Sequence, residues 1–166
     1  VSIGPGITGS GSDGIPLQQG IDEAHRQGGI TIWCHNDQGL ERVANFVLGK
    51  IDAQNIFDGL SLENYPRFED TFYHYLNAGL IVPFSTGSDW VLFDLARGYT
   101  QVTGNLDIAT WLDALKQGKS FITNGPLFQF LVEDQSIGDT VSLKSPGEIK
   151  IEGRALGRVD FGHLEL

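Results

Sequence analysis

A chain of 166 residues has the length of one domain, or of one domain with a small piece of another. Its net charge of −10, with no cluster of Lys or Arg, argues against binding to phosphate backbones, whereas a cationic cofactor suits the balance. No run reaches the roughly 18 apolar residues of a membrane-spanning helix, so the expectation is a soluble protein with no membrane partner.

The predicted elements follow in chain order. Leu17, Ile21 and Ala24 recur at helical spacing over 15–27, and Gly28-Gly29 ends that helix. "ITIWC" (30–34) reads as a short buried strand. Over 40–49, Leu40, Val43, Ala44, Val47 and Leu48 fall on one face of an amphipathic helix. "IFDGLSL" (56–62) is a second strand, and Phe68, Phe72, Tyr75 and Leu76 mark a helix over 67–78. "LIVPF" (80–84) is the third strand, with Pro83 implying an edge position or a bulge. Alternation with short connections predicts three parallel neighbours in one sheet, with the helices packed outside it.

Beyond Asp89 the rhythm changes. "RGYTQV" (97–102) looks extended, and "DIATWLDALKQG" (107–118) places Ile108, Trp111, Leu112 and Leu115 on one helical face, with Gly118 as the stop. After Ser120 the chain reads as β. In "EIKIEGRA" Ile149, Ile151 and Ala155 alternate with charged residues, the pattern of a half-exposed antiparallel strand. The turn "TNGP" marks a boundary near residue 124, dividing 1–124, an α/β part, from 125–166, a β-rich part.

In parallel α/β folds, sites gather beyond the carboxyl ends of the strands. The first strand closes in His35-Asn36-Asp37, the second in Glu63-Asn64, and the third leads to Asp89. Three strands thus deliver polar, ligand-capable residues to one edge. His35 suits a metal ligand or a general base, against the plainer reading of a capping or core histidine. Cys34 is the only cysteine, so no internal disulfide forms and the compartment is not revealed. As the strand neighbour of His35 it is expected to point the other way and pack against helices. Gly4, Gly6 and Gly9 match a bare G-x-G-x-x-G without a full preceding strand or an acidic ribose partner, so a surface loop is the better reading than a nucleotide site. His25, His74 and His163 are placed on helix or strand surfaces and given no role.

"AHRQGGITIWCHN", "FYHYLNAGLIVPFSTGSD", "RGYTQV" and "ALKQGKSFITNGPL" together, in this order and spacing, resemble the later half of metal-dependent hydrolases of the PHP superfamily, in the amidohydrolase-like branch that includes carbamate-ester hydrolases. The resemblance spans roughly residues 20 to 140. It implies the C-terminal part of a PHP-like distorted (βα) barrel, followed by strands of an appended β-domain. It implies His35 and Asp89 as ligands of a divalent metal, zinc or manganese, with Asn64 and Arg97 in the pocket. The implied activity is hydrolysis of a small-molecule ester, amide or phosphoester by metal-activated water. The family's opening His-x-His has no counterpart here, Val91 stands where a His often follows "GSD", and Ser61 stands where an acidic residue often sits. With Val1 opening the chain, no methionine, and a strand-like end at "GRVDFGHLEL", these departures predict a fragment that by itself lacks a complete metal site. An uncovered sheet edge would then favour a homo-oligomer. The rival expectation is a PHP-like binding module without catalysis.

Overall fold

The computed structural model describes residues 17–34, 41–58, 72–87, 96–160 and 162–164. The chain is mixed α/β. Helix α1 (Leu17–Arg26) leads through the Gly28-Gly29 turn to strand β1 (Ile32–Trp33), and α2 (Arg42–Val47) leads to β2 (Ala53–Asp58). A helix over 72–77, α3, precedes β3 (Phe84–Gly87). These strands form one sheet in the order β1-β2-β3, both pairings parallel. The predicted arrangement of three parallel neighbours is present, and among the described residues it closes no barrel.

Strand boundaries differ from those expected, for local reasons. β3 starts at Phe84, not at Leu80. The Leu80 amide still caps α3 through the Tyr75 carbonyl, Ile81 is 87% exposed, and Pro83 has no N–H to give. The Pro83 carbonyl nonetheless accepts from the Gln54 amide at 2.9 Å, which carries the chain into the ladder. β2 begins at Ala53, three residues before the expected start, because Gln54 is buried and paired despite its polarity. The part of "IFDGLSL" after Asp58 lies outside the described residues, as do residues 67–71 of the third predicted helix.

The core joins Ile21 of α1, Phe46 of α2, Ile51, Tyr75 of α3 and Val82, with Trp33 and Leu80 against it. Its geometry overturns the predicted face of α2. Val43 (51% exposed), Val47 (62%) and Leu48 face outward, while Asn45 and Phe46 are buried. Phe46 meets Tyr75 with ring centroids 5.2 Å apart, and seating this large ring turns the valine stripe away, since each residue advances about 100° around the helix.

Two antiparallel pairs complete the described fold. β4 (Arg97–Thr100) pairs with β5 (Ser120–Thr123), joined through helix α4 (Ile108–Lys116). Asp107 caps α4 by accepting from the Thr110 amide at 2.8 Å, and Gly118 leaves the helix at φ +71°, the stop expected of it. On α4 Ala114 and Leu115 are buried, whereas Ile108, counted on the apolar face, is 80% exposed. β6 (Leu127–Val132) and β7 (Ile151–Leu156) form a two-stranded ribbon. The half-exposed alternation expected of β7 is not realised: only Ala155 is half-buried, because the described residues lay no second layer on the ribbon.

Candidate functional site

The parallel register aligns β1, β2 and β3 so that all three run toward the same carboxyl edge, with Asp58 paired to Gly87. Two residues past Trp33 the sequence reaches His35, and two past Gly87 it reaches Asp89. His35, Asn64 and Asp89 themselves lie outside the described residues. Cys34 is exposed, which corrects the expectation that it packs against helices. β1 is only two residues long, so strand alternation no longer governs position 34.

Arg97, the fourth candidate, opens β4 and is exposed. Its level relative to the sheet follows from two contacts. The Ser120 hydroxyl donates to the Phe84 carbonyl at 3.2 Å, and a Cβ built on Gly98 would stand 3.8 Å from the Thr86 methyl. Ser120 pairs with Thr100, and Gly98 with Ile122. The Thr100–Ser120 end of the pair therefore lies beside the start of β3, and the Arg97–Thr123 end beside Gly87. β4 and β5 thus carry Arg97 to the carboxyl edge from which β3 leads to Asp89. Its Nη1 donates to the Ala96 carbonyl at 2.7 Å, which draws the guanidinium back along the chain toward that edge.

The opposite, amino edge holds a polar cluster that sequence reading missed. The Asp52 carboxylate, just ahead of β2, accepts from the Thr31 amide at 2.8 Å and lies 2.8 Å from His25 Nε2. Lys116 Nζ of α4 approaches its other oxygen at 3.2 Å. The Thr31 hydroxyl donates to the Lys50 carbonyl at 2.7 Å. Burial pushes the Asp52 pKa up, but the Thr31 amide, His25 and Lys116 outweigh it, and the carboxyl is held below its ordinary range. His25 and Lys116 also line an open cavity of about 250 Å³ with Gly28, Gly29, Ile30 and Asp113 among its walls. His25 and Asp52 are 27 positions apart, so no local motif announces the pair. The available signal was weaker: a histidine in the last turn of a helix and a lone Asp before a strand. At the amino ends of parallel strands such a cluster fastens α1, β1, β2 and α4 together.

Among the described residues, no three His, Cys, Asp or Glu side chains gather as a metal-binding group. No helix among them is long and apolar enough to cross a membrane. No model of a known protein family matches the chain, and no curated protein or solved structure matches it either.

Proposed function

We propose that the chain carries part of the site of a metal-dependent hydrolase of the PHP kind, placed beyond the carboxyl edge of the β1-β2-β3 sheet, and that these strands belong to a PHP-like distorted barrel. The observation that supports this reading is the parallel pairing, in which β1 heads toward His35 and β3 toward Asp89. An imidazole and a carboxylate are donors that zinc and manganese accept. They are two, and a catalytic zinc ordinarily has about three protein ligands, so the pair does not complete a site and a further donor has to come from elsewhere. When bound, the metal would supply Lewis acidity and a water made acidic near neutral pH. Asn64 and Arg97 would orient the substrate, an ester, amide or phosphoester.

The competing reading, a binding module without catalysis, draws on Val91 and Ser61, which depart from the ligand pattern of the resemblance. Zinc or manganese titration separates the two, read by melting temperature and by hydrolysis of p-nitrophenyl acetate and p-nitrophenyl phosphate. With only two donors the thermal shift should be small. The hydrolase reading expects a small metal-dependent shift that a chelator removes and that His35→Ala or Asp89→Ala abolishes, with turnover only once the missing donor is supplied. Metal-independent behaviour, identical in both variants, supports the binding module.

A further inference from the structure

We infer that the cavity between the end of α1 and the flank of α4 binds a short primary alkylamine as its ammonium ion, with the Asp113 carboxylate as counter-ion. The site lies at the amino edge of the sheet, apart from the proposed hydrolase chemistry, and needs no metal.

His25, Asp113 and Lys116 are the ionisable groups on the cavity wall, and two of them are already committed. Lys116 Nζ lies 3.2 Å from the Asp52 carboxylate, which balances its charge. His25 Nε2 lies 2.8 Å from the same carboxylate. Asp52 is held ionised and can only accept, so this nitrogen carries the ring proton. The neutral imidazole then has no second donor, only the lone pair of Nδ1. Asp113 differs. It is exposed on α4, and its carboxylate makes no hydrogen bond or ion pair among the described residues. The wall therefore has acceptors and one unbalanced negative charge left for a ligand.

The backbone points the same way. Gly28 and Gly29 line the cavity just past α1, a helix of 10 residues whose carboxyl end carries partial negative charge and favours a cation. Arg26, the basic neighbour of His25 in that last turn, is tied to Glu23 at 2.7 Å. Ile30, Ala109 and Leu112 give apolar wall to a hydrocarbon tail. At about 250 Å³ the cavity exceeds the roughly 150 Å³ that holds benzene but is below the usual drug-sized site, so a tail of a few carbons fits. The net charge of −10 draws cations to the molecule as a whole.

The test titrates butylammonium chloride into the full metal-free chain, following amide chemical shifts, with butanol and sodium butyrate as comparisons. The expected result is saturable ammonium binding in the millimolar range, centred on Gly28, Gly29, Ala109 and Asp113, and weaker binding of the alcohol and the anion. Asp113→Asn removes the charge from an exposed side chain that holds no other element, so the fold should stay and the affinity drop by about threefold or more. Ala109→Phe, also at an exposed position, should fill the cavity and abolish binding with the melting temperature little changed. Unchanged ammonium affinity in Asp113→Asn overturns the inference. So does tighter binding of butyrate, which would make Lys116 the available charge, and so do shifts that scatter over the acidic surface without saturating.

Discussion

The Asp52 carboxylate links three segments that are distant in sequence, and its side chain is only 9% exposed. Replacing it with Ala would leave the Thr31 amide without its acceptor, although His25 and Lys116 are exposed enough to recover some hydration. The expected cost is about 1–3 kcal/mol, read from urea denaturation. The folded-state pKa of Asp52 is depressed, so its contribution is complete above the unfolded value of about 3.9 and is lost as pH falls through the folded value. Wild-type stability should therefore fall in that acid range by more than the stability of Asp52→Asn, whose amide does not titrate there. Asn45 presents the opposite case. It is fully buried in α2, and neither its side-chain nitrogen nor its oxygen finds a hydrogen-bond partner. A buried polar atom left unpaired costs about 1–3 kcal/mol, so Asn45→Leu, close in volume, should raise the denaturation midpoint. A lowered midpoint would mean that the amide is paired in solution.

At the level of elements, the turn after α4 is the tightest joint in the described fold. Gly118 and Gly138 both have positive φ, and a Cβ on Gly138 would lie 2.8 Å from the Gln117 carbonyl oxygen and from the Lys119 amide nitrogen. Both neighbours are backbone and cannot step aside. Gly118→Ala meets only the left-handed penalty, about 1–2 kcal/mol, whereas Gly138→Ala adds a clash and should lower the melting temperature further. Equal effects would show that the two turns are not packed together. Elements of this kind were legible where local chemistry decides: the Gly28-Gly29 and Gly118 stops, the α4 helix after Asp107, and the parallel order of three strands. Burial was less legible. α2 has a clear apolar stripe, yet Phe46 and Tyr75 set its rotation through a contact between helices that periodicity does not contain. The start of β3 was obscured by Leu80 and Val82, apolar residues that finish a helix cap and enter the core, respectively, before the ladder begins. Of the candidate site, the direction of the strands was readable. The level of Arg97 was not, because it depends on Ser120 and Gly98 meeting β3. His25 and Asp52 escaped notice because nothing near either one in the chain marks the other.

For the whole molecule, the account sets two edges of one sheet against each other. The amino edge, with Asp52 at its centre, holds elements together. The carboxyl edge, flanked by Arg97 and approached by the chain toward His35 and Asp89, is proposed to do the chemistry. Acidic groups occur at both edges, so a divalent ion has a real choice between them. Paramagnetic manganese added to the isotope-labelled chain reports that choice through the amide resonances it broadens. The account predicts broadening centred on Cys34, Gly87 and Arg97, absent in both His35→Ala and Asp89→Ala. Broadening centred on Thr31 and Asp52, or scattered over the acidic surface and indifferent to both substitutions, would contradict it.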